Sequence, residues 1–349
     1  MEMAMPCNNI ESKRNHTIDL LKAIFCMCMI LVHFPFKGAL GTVFSTIGIC
    51  GVIFFFLVSG YSAYNQDDTI ACQNLMKRFK RNLKITLIVL AIYAVLIPIE
   101  QLVTGQFDNF LSYFKNPWLF PRIIFLGDFS VIKADPLWFM PALLYAYLIF
   151  YLLHKYHKMK YAYYFLPPLL LLRIGVEIYV NTTNADWHIS TNVLVGALPI
   201  MLLGHFIACK KDAFFKTPIY ITISLFIITT ALTFVSVFVR VSNIDIAQIF
   251  KIWSMTELFL ISLRFPGKEE RTILEIIGRR YSLYIYLFHF LIGVIFVCDV
   301  LYAFKAPDWV YDYILPIMAL ILGTIIPIGL YDLNHHIKNK RKGAVKKLN

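Results

Sequence analysis

Apolar runs of about 20 residues, each long enough to cross a bilayer, recur along most of the chain and are separated by short polar joins. We place the spans at approximately 18–36, 42–64, 83–104, 137–154, 161–180, 191–209, 219–239, 244–263, 281–303 and 312–334. One such run fits a buried core helix, but about ten do not. The pattern predicts an all-α polytopic membrane protein with about ten transmembrane helices. No 20- to 50-residue repeat and no low-complexity linker divides it. We therefore expect a segment 1–16, a single membrane domain 17–334 and a basic tail 335–349.

Charge decides the orientation. The chain is 59% hydrophobic and only 15% charged, yet carries a net +12. The joins holding "KRFKRNLK", "HKYHKMK", "KKDAFFK" and "RFPGKEERTILEIIGRR", with Lys13, Arg14 and the tail, contain 24 of the 33 lysines and arginines. The opposite joins hold Lys37, Lys115, Arg122, Lys133, Arg240 and Lys305, while Lys22, Arg173 and Lys251 fall within spans. Basic residues collect on the cytoplasmic side, so both termini are expected inside a cell membrane. The surplus is then topology and attraction to anionic lipid, not nucleic-acid binding.

None of the seven cysteines falls in an expected outer join or forms a C-x-x-C pair, so neither a disulfide framework nor a metal site is indicated. The first apolar run is too long for a cleavable signal, and no small-residue cleavage site follows it before the second span. The longest outer join, 105–136, contains "NPWLFPRIIFLGDFSVIKADP", which reads as an aromatic interfacial belt or as a lid.

The first run, "LLKAIFCMCMILVHF", contains two groups that lipid penalises. Lys22 and His33 are 11 residues apart, so on a helix they share one face about 16 Å apart along the axis. Each alone has an ordinary reading, the lysine snorkelling and the histidine packing. Together they suggest a polar cavity, because intramembrane ionisable groups normally face one. Arg173 and Glu177, four apart, read as an internal pair. Lys251 and Glu257 lie about two turns apart on another span.

"RNHTIDLLKAIFCMCMILVHF" followed by "GICGVIFFFLVSGYSAYN" resembles the opening of the acyltransferase 3 family of integral membrane acyltransferases. That family carries an arginine ten intervening residues before a histidine, then an FF-x-x-SG segment. Here His33, Phe55, Phe56, Ser59 and Gly60 fit, and Lys22 stands at the arginine position. "KRFKRNLKI" resembles the family's basic segment through Arg78 and Arg81, and "PLWFMPALLYAYLIFY" its tryptophan-bearing helix through Trp138. "GRRYSLYIYLFHF" resembles its late region through Tyr284, Tyr286, Leu287 and His289, with Tyr281 and Ser282 transposed in order. The likeness covers residues 17 to about 334.

Two departures stand out. Lysine keeps the charge at position 22 but loses the planar guanidinium fork. Some branches of the family carry lysine there, which bears on subfamily more than class. The acid many members carry after the tryptophan is missing from "WFMPALLYAY", and Glu257 is the nearest intramembrane substitute.

The resemblance implies acyl transfer from cytoplasmic acyl-coenzyme A, acetyl-coenzyme A before others, as a co-substrate and not a bound cofactor. A surface glycan or its lipid-linked precursor would accept the group. His33 has the chemistry of a general base, and Lys22 could hold the donor or polarise its carbonyl. Arg78 and Arg81 could grip phosphates, or simply belong to a positive-inside join. Ser59 lacks the setting of a hydrolase nucleophile and reads as a pocket or packing residue. Trp138, Glu257, Tyr286 and His289 are expected near the acceptor, His289 also as a group that orients His33. A transporter or flippase remains the alternative, although no inverted repeat is visible. The H-x-x-x-x-D pattern of glycerolipid acyltransferases is absent, since Gly38 follows His33 by five. Nor does the early motif have a role in membrane-bound O-acyltransferases, which depend on a late histidine and an asparagine.

Overall fold

The computed structural model describes residues 14–239, 247–267 and 272–346. Lys13, Arg240, Lys268, Arg271 and most of the expected N-terminal segment lie outside the described residues. The described residues are helical with no strands. The long helices are α1 (His16–His33), α2 (Ala39–Ala63), α3 (Asp68–Val103), α4 (Asp135–Lys155) and α5 (Met159–Thr183), then α6 (Val193–Cys209), α7 (Ile219–Val239), α8 (Ala247–Arg264), α9 (Ile273–Ala303) and α10 (Val310–Ile337). Among the described residues, eight are long and apolar enough to cross a membrane. The shorter α6 and the more polar α8, with Lys251, Glu257 and Arg264, occupy the other two expected positions.

Three helices outrun the apolar pattern. The basic stretch expected in the join before the third span is instead the first half of α3, which Asp67 caps by accepting from the Thr69 and Ile70 amides. No glycine or proline interrupts α3 before Pro98, so its winding continues past the point where its side chains cease to be apolar. α9 likewise begins eight residues before the expected span, and the helix of α10 runs on to Lys346 through the basic tail.

Ends that should meet across alternating crossings do meet. At the basic end, Asn15 and Thr17 donate to the carbonyls of Ser262 and Phe265, and Arg264 donates to that of Phe214. At the far end, Lys37 pairs with Asp312 at 2.7 Å and Lys133 with Glu100 at 3.0 Å. The far-end join between α3 and α4 is not free chain: it forms short helices at Phe107–Tyr113 and Leu119–Leu126 and a tight turn at Ser130–Ile132.

α1 lies centrally, against α2, α9 and α10, while α2 also packs on α6 and α8. Small residues set the close approaches. A Cβ on Gly60 would lie 1.9 Å from the Met201 carbonyl of α6, and one on Gly278 would lie 1.8 Å from the Asp19 carbonyl of α1. The "VSG" segment is therefore a close helix contact. Within α9, the buried Tyr93 hydroxyl donates to the Leu287 carbonyl (3.1 Å) and accepts from the Leu291 amide (3.2 Å). Those two groups are ordinary i→i+4 partners, so a side chain of α3 stands inside the ladder of α9. Wider π-type turns flank this stretch at Ile277–Tyr281 and Gly293–Cys298.

Candidate functional site

α1 and α9 run side by side in the same direction, in nearly constant register. Gly278 meets Asp19, the Cys26 thiol donates to the Ser282 carbonyl at 3.3 Å, and the His33 and His289 rings lie 5.4 Å apart. Eleven residues separate Lys22 from His33 and Gly278 from His289, so one helical stagger brings both motifs into contact.

His33 is half-buried, edge-on to Phe290 at 5.2 Å. His289 is wholly buried. Its Nδ1 faces the carbonyls of Tyr286 (2.8 Å) and Ile285 (3.1 Å) and must be the protonated nitrogen, since carbonyls only accept. Its Nε2 thus carries the lone pair, and it has no hydrogen-bond partner among the described residues. Rings continue from there: Tyr286 lies 6.1 Å from His289 and 5.4 Å from Phe139, which stacks on Phe56 at 4.3 Å, 6.2 Å from Trp138. The Tyr286 hydroxyl donates to the Pro136 carbonyl, fixing α9 to the start of α4. His33, His289, Tyr286 and Trp138 thus form one connected group.

Lys22 belongs to a second group at the basic end. Its Nζ lies 3.4 Å from the buried Asp19, which also takes Arg14 Nε at 2.7 Å. Arg78 is within electrostatic range of Lys22 and donates to the Ser62 hydroxyl at 2.5 Å, which in turn donates to the Ser59 carbonyl. Ser59 thus enters through its backbone. Arg81 is exposed, and its Nε lies 3.4 Å from Asn82 Oδ1. Glu257 is buried on α8, bonded to Trp253, and joins neither group; Lys251 is buried beside Cys50. Between Lys22 and His33 on the same face, Cys26 and Met29 are buried. Side chains fill that level in this conformation. Apolar hollows of about 360 and 220 Å³ lie elsewhere, the first lined by Ile149, Leu153 and Leu202, the second by Leu170, Ile252 and Trp253.

The expected Arg173–Glu177 pair is present at 3.9 Å, and Arg173 also donates to the Val195 and Gly196 carbonyls (3.0 and 2.7 Å) in the opening turn of α6. Two other polar assemblies were not anticipated from the sequence. At the basic end, His154 joins Asp68 (2.7 Å) to His205 (3.2 Å), and the Tyr163 hydroxyl lies 2.8 Å from His205 Nδ1. His154 and His205 are almost completely buried. At the far end, Arg122 clamps Asp128 and Asp186, while His188, stacked on Trp187 at 3.9 Å, lies between the two acids. Burial pushes the Asp128 carboxyl up, but hydrogen bonds from Ser130 and Arg122 outweigh it and hold the group below the ordinary carboxylate range. Asp186 is held low against its burial by His188 and Arg122. The only signals for this assembly were "GDFS", "ADP" and "ADWH", too short to connect residues some 60 apart.

A family described as an acyltransferase domain matches residues 15–336, nearly the whole chain. No curated protein and no solved structure matches it.

Proposed function

Since the chain belongs to this acyltransferase family and is a multi-pass membrane protein, we propose that it moves an acyl group, acetyl in the simplest case, from cytoplasmic acyl-coenzyme A to a hydroxyl of a cell-surface glycan or its lipid-linked precursor. The observation carrying this reading is the His33–His289 pair, two imidazoles 5.4 Å apart inside the bundle. His33 accepts the acceptor's hydroxyl proton as its oxygen attacks the thioester carbonyl. The tetrahedral intermediate then collapses, the C–S bond breaks, and the proton held by His33 passes to the departing thiolate. His289, fixed by two carbonyls, orients His33.

Lys22 and Arg78, with Arg81 at the exposed rim, form a cationic approach suited to the donor's phosphates. Lysine makes the contact as a point charge and not as a fork. Trp138 and Tyr286 face the acceptor, because a flat aromatic surface suits the apolar face of a sugar ring. Ser59 contributes only its backbone carbonyl to the Lys22–Arg78 group, and Glu257 stands apart from both groups. Both termini lie in the cytoplasm of a bacterial cell on this reading, and the donor enters from the basic end once the level of Cys26 and Met29 opens.

His33→Ala tests the proposal. Purified in detergent, the wild-type protein should release coenzyme A in the presence of an added glycan acceptor. His33→Ala should lose about 10²–10⁴-fold in turnover while keeping the wild-type melting temperature. Undiminished turnover by His33→Ala removes the base. No turnover by wild type with any acyl-coenzyme A and acceptor, together with glycan uptake into sealed vesicles, favours a transporter.

A further inference from the structure

The far-end assembly contains a feature that proximity of acids alone does not explain. Arg122 occupies one oxygen of each neighbouring acid: its Nε and Nη2 reach Asp128 Oδ2 at 2.7 and 2.6 Å, and Nη2 reaches Asp186 Oδ2 at 2.5 Å. The other oxygens turn away from it. Asp186 Oδ1 accepts from the His188 backbone amide (3.0 Å) and lies 2.8 Å from His188 Nδ1. Asp128 Oδ1 accepts from the Ser130 amide (3.0 Å) and is 2.5 Å from the Ser130 hydroxyl, which is itself 2.7 Å from Asp135 Oδ1.

His188 is the telling residue. Its side chain is 5% exposed, and with Nδ1 donating to Asp186 a neutral ring leaves the lone pair on Nε2. That nitrogen makes no hydrogen bond among the described residues, yet it lies 3.3 Å from Asp128 Oδ1. A lone pair facing a carboxylate oxygen at that range is repulsive unless something positive joins them. One ligand atom each from Asp128, Asp135 and His188 lie within 4.8 Å of one another. Ligand atoms on a metal with bonds near 2.1 Å stand about 3.0–3.4 Å apart, which matches the His188–Asp128 spacing. A histidine whose second nitrogen donates to a carboxylate is the usual support for a metal ligand. Three aspartates face one arginine here, so a doubly charged cation would balance the assembly.

We propose that Asp128, Asp135 and His188 bind one divalent transition ion, zinc or manganese, with Ser130 beside it and Asp186 behind the imidazole. The imidazole ligand disfavours calcium and magnesium. Such an ion would tie the long α3–α4 join to the α5–α6 join. Asp135 also opens the turn that carries Pro136 and Trp138, so the tie would brace the Tyr286 anchor. This inference does not depend on the acyl-transfer reading.

The test uses the full-length protein, tag removed, stripped with chelator in detergent and dialysed against zinc or manganese at matched concentrations. Mass spectrometric metal analysis should find about one ion per chain, and its binding should raise the melting temperature. His188→Ala and Asp135→Asn should each bring the stoichiometry near zero and abolish the metal-dependent rise. Asp186→Asn should weaken binding about 10–100-fold. Asp135→Asn is nearly isosteric at a half-buried position, which guards against a folding failure of His188→Ala. Wild-type protein that takes up neither ion overturns the proposal, an imidazolium then filling the gap. So does stoichiometry unchanged in both variants.

Discussion

The Nδ1–H of His289 is committed to the Tyr286 carbonyl, which leaves the Nε2 lone pair buried beside the His33 ring. Two imidazoles so placed should act as a unit. We expect His289→Phe, which keeps ring volume but removes the lone pair, to lower turnover to a similar degree as His33→Ala. The double variant should be no slower than the slower single one, as for residues sharing one step. Steady-state rates of the four proteins decide it: losses that multiply would make the two histidines independent. Lys22 differs in kind. Its nearest acid is Asp19, one helical turn earlier. The i,i+3 spacing of that pair was visible in "DLLK", but a single acid at a helix start has too many ordinary explanations to have been singled out.

At the scale of elements, the parallel contact of α1 with α9 governs the site. It was legible only through the family resemblance, because periodicity tells which face of a helix is buried and not which helix covers it. The physical trace is Gly278, where the backbones touch. Gly278→Val forces atoms into space the Asp19 carbonyl occupies. It should cost at least about 1–3 kcal/mol by overpacking and separate His33 from His289. The expected outcome is a lower melting temperature in detergent together with lost turnover; retention of both would mean the helices can slide without consequence. α3, α9 and α10 extend beyond the expected spans for a related reason. Hydropathy marks where a helix is greasy, whereas its ends are set by caps and breakers such as Asp67.

Across the whole molecule, the alternation of basic and non-basic joins anticipated which ends meet. Asn15 with Ser262 and Lys37 with Asp312 are contacts that such an alternation requires. The far-end assembly could not be foreseen. Its members are polar residues in joins, where polarity is the default and carries no information until folding brings Arg122, Asp128 and His188 together. The relay from Asp68 to Tyr163 was hidden by the opposite circumstance: its histidines lie on apolar helices where a single histidine is unremarkable.

The hydroxyl of Tyr93, a residue of α3, acts as a wedge in α9. Phenylalanine there could neither accept from Leu291 nor donate to Leu287, so the two would be free to close on each other and rewind the turn containing His289. A tighter α9 would be the more stable coil and the poorer catalyst. Tyr93→Phe should therefore cut turnover about tenfold or more without lowering the melting temperature, the opposite of ordinary core damage. Full activity in that variant would show that the distorted turn is merely tolerated, and that the site does not need its helix held ajar.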